Sequence, residues 1–191
     1  MRTSKGLGLA AAGAMLLAGC ATPPPKVAVP VTAPIARELP YRWTQGNAPR
    51  AHKDSLALWG PVAMRPGDSY WAASIPKDGE SKVVIDLMTQ RFYVYRGEQL
   101  VGMSTISSGK KGKETPLGFW KIFRKQVKGF SRKYDNAPMP YMQMYDEKGI
   151  AFHAGALPGY PASHGCVRLP LGFAKKLYGL TKLGTEVIIE G

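Results

Sequence analysis

Two neighbouring stretches, Val83-Val84-Ile85-Asp86-Leu87 and Arg91-Phe92-Tyr93-Val94-Tyr95, decide the fold class of this chain. Both are rich in β-branched and aromatic side chains, which favour β-strands, and only a few residues separate them. Arg96-Gly97-Glu98 then predicts a turn into a third strand over residues 99–106. The sequence therefore predicts a meander of three strands and a mostly β fold.

The remainder of the chain extends this prediction with one helix. Residues 119–123 alternate weakly and predict a further strand, which is followed by a predicted long loop through Ser131, Asn136, Pro138 and Pro140. Residues 170–180 carry apolar side chains at helical spacing, and residues 186–189 predict a last strand. We expect a β-sandwich or barrel-like sheet with one or two short helices.

The N-terminus has the pattern of an export signal. Arg2 and Lys5 precede a small and apolar run over residues 6–17, which is too short to cross a bilayer in the ordinary way. Leu17-Ala18-Gly19-Cys20 resembles the lipobox of bacterial lipoproteins. The resemblance predicts that residues 1–20 are a lipoprotein signal peptide and that Cys20 becomes the acylated first residue. A plain secretory signal is the alternative.

Two segments of different character precede the β-rich region. Residues 21–40 contain six prolines among small residues, which predicts an extended, semi-rigid linker. In residues 41–80, proline and glycine interrupt every regular pattern except a possible helical turn at residues 55–59. We expect an irregular segment whose aromatic side chains pack against the domain; substrate recognition by those aromatics is the alternative.

Composition and charge limit the function classes. With 191 residues, of which 45% are apolar and 20% charged, one globular core is expected. The formal net charge is +13, and loss of Arg2 and Lys5 with the signal would leave about +11. Such a charge favours acidic polymers of a cell envelope or anionic lipid, and export argues against nucleic acid. Because the basic residues are scattered, a solvated surface accounts for the charge equally well.

The two cysteines are expected to have different fates. If Cys20 is lipidated, Cys166 is a single thiol in an exported protein, where an idle thiol is liable to oxidation. It lies in Ser163-His164-Gly165-Cys166-Val167-Arg168, thirteen residues after His153. A thiol acts as a nucleophile in its thiolate form, which a nearby imidazole favours, and glycine permits a tight turn beside it. The pattern predicts a nucleophilic site, with His153 and Cys166 at or near strand ends.

A metal site and an inert thiol are the alternatives for this cluster. A catalytic zinc could bind His153, His164 and Cys166, but no acidic pair accompanies them, and the preceding glycine fits nucleophilic chemistry better. A buried cysteine with no chemical role is the second alternative. We therefore expect an enzyme without a metal or any other cofactor.

Several short motifs follow one another along the second half of the chain. They are Ile85-Asp86-Leu87 with Gln90, Ser108-Gly109-Lys110, Thr115-Pro116-Leu117-Gly118, Met139-Pro140-Tyr141, Phe152-His153 and the segment from Ser163 to Arg168. Together and in this order, over about residues 82–191, they resemble the L,D-transpeptidase (YkuD-type) catalytic domain, so we expect residues 81–191 to be this domain. The resemblance implies that Cys166 attacks a peptidoglycan stem tetrapeptide, releases D-alanine and passes the acyl group to an amine, with His153 as the base.

Further residues receive expected roles around that pair. Members of the family often hold the histidine through the following residue; because Ala154 has no polar side chain, only its carbonyl could serve here. The amides of Gly165 and Cys166 could form an oxyanion hole, and His164, if the segment is extended, would lie on the same side as Cys166. Three residues have two possible roles each. Arg168 would bind a substrate carboxylate or brace the loop, Ser163 would bond within the site or shape a turn, and Tyr141 would line the substrate groove or pack in the core.

The sequence leaves the acceptor open. An amine of a second stem or of an envelope lipoprotein would give a transpeptidase, whereas water would give a hydrolase of the same fold. A non-catalytic, envelope-binding lipoprotein is the alternative of another class. We expect a periplasm-facing protein anchored through Cys20, in the outer membrane more than the inner one if the cell is Gram-negative, because Ala21 and not aspartate follows Cys20.

Overall fold

Ten strands and two helices make up residues 40–191, the part of the chain that the computed structural model describes. In chain order the elements are α1 (Asn47–Trp59), β1 (Ser69–Trp71), β2 (Ser81–Asp86), β3 (Arg91–Arg96), β4 (Gln99–Thr105), β5 (Gly118–Lys121), β6 (Arg124–Phe130), β7 (Pro138–Met144), β8 (Ala151–Ala154), β9 (Val167–Leu169), α2 (Leu171–Leu180) and β10 (Glu186–Glu190). The mostly β fold with two helices is confirmed.

The strands form two sheets. The six-stranded sheet has the order β1-β4-β3-β2-β10-β5 and contains the predicted meander, β2 to β4, with antiparallel pairing. The last strand, β10, pairs parallel with β2 and so lies inside this sheet and not at its edge. The four-stranded sheet has the order β6-β7-β8-β9, and its last pair, β8 and β9, is parallel.

The core lies between the sheets and on both faces of the six-stranded one. Phe92 of β3, Phe152 of β8 and Phe173 of α2 are buried and meet edge to face, with ring centroids 5.2 Å apart for Phe92 and Phe152 and 5.8 Å for Phe92 and Phe173. A buried phenylalanine truncated to alanine typically costs about 3–5 kcal/mol. These three rings therefore hold the two sheets and α2 in a fixed arrangement beneath the site.

Residues 41–80 are more regular than predicted, because α1 occupies thirteen of them. Its buried face, Ala48 and Ala51, packs on the outer face of the six-stranded sheet. Its first turn is stabilised by the Glu190 carboxylate, which accepts bonds from the N–H groups of Asn47 (3.1 Å) and Ala48 (2.8 Å). An acceptor so far along the chain stabilises a helix start that the local sequence does not indicate.

The predicted long loop from residue 123 through Pro140 was also partly wrong, because β6 occupies its first part. Pro138 and Pro140 belong to β7, which pairs with β6. The sequence gives no strand signal for β6 because β6 is an edge strand rich in lysine, arginine and glutamine. It therefore lacks the apolar alternation that indicates a half-buried strand.

Residues 1–39 lie outside the described part of the chain. They include the predicted signal peptide, Cys20 and nearly all of the predicted linker. Across residues 40–191, neither helix has the length and apolar character needed to cross a membrane.

Candidate active site

A cleft of about 1170 Å³ opens over one face of the four-stranded sheet, and Cys166, His153, His164 and Arg168 all line it. Cys166 immediately precedes β9, and His153 lies within β8 beside it. In the parallel pairing of these strands, His153 is the register partner of Arg168. The structure thus brings the predicted nucleophile, the predicted base and the predicted cationic residue to one wall of the cleft.

His153 is held in a defined orientation by the backbone. Only 7% of the residue is exposed, and its Nδ1 lies 2.8 Å from the carbonyl oxygen of Ala154. A carbonyl can only accept, so Nδ1 carries the proton and Nε2 keeps its lone pair in the neutral ring. The Ala154 carbonyl therefore orients the His153 ring.

The pKa of His153 is lowered. Burial is the main cause and the positive charge of Arg168 adds to it, while the bond to the Ala154 carbonyl acts in the opposite direction. The ring is thus neutral at neutral pH, which leaves Nε2 free to accept a proton.

The pKa of the Cys166 thiol is raised. Burial is again the main cause, and the Ala151 backbone and the Arg168 charge oppose it. Burial therefore favours the neutral thiol and the neutral imidazole in the substrate-free site over the ion pair that a more polar setting would stabilise.

The backbone before Cys166 forms a tight turn around the side chain of Ser163. Ser163 Oγ accepts the Gly165 N–H at 3.0 Å and donates to the Cys166 carbonyl, which makes Ser163 a turn-forming residue. Gly165 has φ +116°, a conformation that favours glycine. Two expectations change as a result. The segment is not extended, so side-chain alternation does not place His164, and the Gly165 amide is engaged within the turn and not free for an oxyanion.

Thr115 holds this turn from the other side. It is 2% exposed, and its hydroxyl donates to the Gly165 carbonyl at 2.8 Å while accepting the Gly109 N–H at 2.9 Å. In a trans peptide the carbonyl and the following N–H point in opposite directions, so this bond turns the Cys166 N–H away from Thr115. The sequence marks Thr115-Pro116-Leu117-Gly118 only as a family motif. The bond from Thr115 to Gly165 joins residues fifty positions apart, so no local pattern predicts it.

Comparison with known proteins agrees with this geometry. The family model of the YkuD L,D-transpeptidase catalytic domain matches residues 80–189, more than half of the chain. The chain belongs to the L,D-transpeptidase family. A search of curated proteins found no match.

Solved L,D-transpeptidases share the fold of this domain. An L,D-transpeptidase from Stackebrandtia nassauensis is 31% identical, with a TM-score of 0.54, over 62% of this chain and 61% of its own. One from Xylanimonas cellulosilytica is 26% identical, with a TM-score of 0.53, over 60% and 62%. One from Mycobacterium tuberculosis is 20% identical, with a TM-score of 0.55, over 58% and 57%, and shows the fold alone. This chain thus spans about three fifths of their length.

Backbone bonds tie the nucleophile segment of this L,D-transpeptidase domain to the end of β4. Ser107 and Arg168 exchange two backbone bonds, of 3.2 and 3.0 Å, and the Ser163 N–H donates to the Ser108 carbonyl at 3.0 Å. Cys166 therefore lies between two anchored points, one on each side, and its position is set by the sheet and not by a free loop.

His164 connects the nucleophile turn to the neighbouring hairpin. Its side chain is exposed and stacks on Tyr134, in the loop between β6 and β7, with ring centroids 4.4 Å apart. The stacking joins the nucleophile turn to the β6–β7 hairpin across the mouth of the L,D-transpeptidase cleft.

Tyr141 is not among the residues that line the cleft, and it packs against the core, which is one of its two expected positions. Strand alternation directs Met142 and Met144 of β7 into the cleft, while Tyr141 faces α2 and packs edge to face on Tyr178, 5.9 Å away. Its φ of +55° departs from regular strand geometry.

Within residues 40–191, no three histidine, cysteine or acidic residues converge as metal ligands.

Proposed function

We propose that this protein is a peptidoglycan L,D-transpeptidase that forms its acyl-enzyme on Cys166. The sulfur attacks the carbonyl between the third and fourth residues of a stem tetrapeptide, and His153 Nε2 takes the thiol proton. The C–N bond then breaks, the proton passes to the nitrogen, and D-alanine leaves. An amine of a second stem attacks the thioester, loses its proton to His153 and releases the thiol.

The observation that carries the proposal is the bond between His153 Nδ1 and the Ala154 carbonyl, 2.8 Å long. It fixes the tautomer whose free lone pair is on Nε2, in the cleft that Cys166 also lines. Such an orienting partner is what a general base needs beside a weakly acidic nucleophile.

Two neighbouring groups support the charge that develops during attack. The Cys166 N–H, turned away from Thr115, is a donor for the oxyanion, and one such donor typically contributes about 3 kcal/mol. Arg168 lines the same wall and its charge lowers the pKa of the thiol, so it favours the thiolate. We assign it this role together with the binding of a substrate carboxylate.

The test uses purified protein and a tetrapeptide-bearing disaccharide fragment, with products identified by mass. Wild type should release D-alanine, and Cys166→Ala, which keeps a small side chain at the site, should release none while its thermal unfolding stays unchanged. Undiminished release from Cys166→Ala would refute the nucleophile.

The same products separate the alternative functions. A tetrapeptide joined to a second stem indicates transpeptidation. A free tripeptide indicates water as the acceptor, hence a hydrolase. Unchanged substrate indicates the non-catalytic, envelope-binding lipoprotein. Adding an envelope lipoprotein with a free lysine tests it as an alternative acceptor.

We further propose that the protein is anchored in the cell envelope by a lipid on Cys20. The support is the Leu17-Ala18-Gly19-Cys20 pattern and the proline-rich tether after it. Labelled palmitate should enter the wild type and be lost in Cys20→Ala. Incorporation that survives this substitution would contradict the anchor.

A further inference from the structure

The floor of the cleft consists of parallel rows of side chains on one face of the four-stranded sheet. Along β6, Arg124, Gln126 and Lys128 line the cleft. The residue between them, Lys125, points the other way, and its Nζ donates to the Tyr178 carbonyl on α2 at 2.7 Å. The alternation of the strand thus gives its cleft face a basic and polar row.

The next row, on β7, is apolar. Met144 is the register partner of Arg124, and Met142 is that of Gln126. Both methionines pack in one cluster with Cys166. A ligand that extends from Cys166 toward β6 therefore crosses a thioether surface, which adapts to varied shapes, before it meets the basic row.

The strand order sets the distance between the strand of His153 and that row. β8, which carries His153, and β6, which carries the basic row, are separated by β7 alone. Adjacent strands lie about 4.8 Å apart, so the two backbones are about 10 Å apart. This span corresponds to about three residues of an extended peptide.

The charges of the basic row have no acidic partner among the described residues. In residues 40–191 the ion pairs are Arg50 with Asp54, Arg50 with Glu98, and Lys182 with Glu80, and none lies in the cleft. Seven lining residues are lysine or arginine and two are glutamate. The cleft therefore carries an excess of positive charge, which attracts an anion.

We propose that Arg124 and Lys128 form a carboxylate-binding subsite for the substrate peptide. Its ligand is a carboxylate on the part of the peptide that extends from Cys166 over β7 to β6, whose backbone lies about 10 Å from that of β8. The guanidinium of Arg124 can engage the carboxylate through two hydrogen bonds, and Lys128, on the same face, adds a second charge. The inference rests on the proposed function, since it concerns how that substrate lies in the cleft.

The test compares two stem tetrapeptides that differ only in their side carboxylates, free in one and converted to carboxamides in the other. Binding is measured on Cys166→Ala protein, which cannot be acylated. The free acid should bind more tightly. Combining Arg124→Gln with Lys128→Gln should weaken the acid by roughly five- to twentyfold and leave the amide unchanged, because each exposed charge contributes up to about a fivefold effect.

A matched control removes a charge outside the cleft. Lys175→Gln, on an exposed position of α2, should leave the affinity for both peptides unchanged. The double variant should also keep the thermal unfolding of its parent, since both side chains reach solvent. An equal loss for acid and amide, or no loss for either, would overturn the subsite.

Acylation of wild-type protein separates this inference from the proposed function. If Cys166 is acylated but acid and amide bind alike, the subsite is refuted and the transpeptidase stands. If the acid is preferred through Arg124 and Lys128 but Cys166 is never acylated, the subsite stands and the proposed chemistry fails.

Discussion

Replacing Thr115 by valine should slow acylation of Cys166 without emptying the space that the side chain fills. Valine has nearly the same shape as threonine but no hydroxyl. It therefore removes the donor to the Gly165 carbonyl, at 2.8 Å, and the acceptor of the Gly109 N–H, at 2.9 Å. Thr115→Ser keeps both bonds and is the matched control.

The size of the effect follows from burial. Thr115 is 2% exposed, so water cannot replace the lost hydroxyl, and each unsatisfied backbone group costs about 1–3 kcal/mol. A total of about 2–6 kcal/mol would lower the unfolding temperature by roughly 4–24 °C. The freed Gly165–Cys166 peptide would rotate the Cys166 amide, and a misplacement of about 1 Å costs about a hundredfold in rate.

Reactions quenched at set times, with the acyl-enzyme measured by mass spectrometry, give the rate constant of acylation and the substrate concentration at half saturation. Thr115→Val should lower the rate constant and leave the half-saturation concentration nearly unchanged, because Thr115 orients the nucleophile turn and does not itself line the cleft. Thr115→Ser should restore most of the rate. A wild-type rate in Thr115→Val, or equal losses in both variants, would refute this role.

Three other outcomes are expected. Glu190→Gln should cost about 2–4 kcal/mol of unfolding free energy, because the carboxylate accepts bonds from the start of α1, whereas Glu186→Gln, exposed on the same strand, should stay within about 0.5 kcal/mol. Burial alone would raise the pKa of Glu190, but its hydrogen bonds outweigh burial and lower that pKa. The contribution of the carboxylate to the free energy of unfolding is therefore complete above about pH 4.3 and is lost as the pH falls through the lowered pKa. Urea titrations at several pH values check this. Iodoacetamide should alkylate Cys166 more slowly at pH 7 than it alkylates a free cysteine, since the thiol pKa is raised; equal rates would contradict the neutral resting pair. Tyr141→Phe should keep acylation within about twofold, and a large loss would return Tyr141 to the substrate path.

The elements predicted correctly are those whose signal is local. β2 and β3 lie in continuous runs of β-branched and aromatic residues, and α2 has regular apolar spacing, so neighbours along the chain suffice. Cys166 and His153 were predicted for the same reason, because the residue types that carry nucleophilic chemistry are few. The comparisons confirm the family and its fold; the individual catalytic roles stay predictions.

The missed features depend on partners far along the chain. The start of α1 is stabilised by Glu190, whose carboxylate comes from the other end of the domain. Thr115 acts through Gly165, and the place of β6 at a sheet edge explains its polar composition. Such contacts exist only once the fold has formed, so no window of the sequence contains both members.

The electrostatics of the site imply when Arg168 acts. Its charge lowers the pKa of both partners, which favours the thiolate of Cys166 but disfavours the imidazolium of His153. Burial opposes charge on both groups, so the ion pair is costly before substrate binds. In the proposed mechanism, the negative charge moves from sulfur to the carbonyl oxygen during attack, where the Cys166 N–H can receive it. The proposed mechanism therefore couples proton transfer to His153 with formation of the C–S bond, and it assigns to Arg168 the stabilisation of charge mainly along that step and not in the empty site.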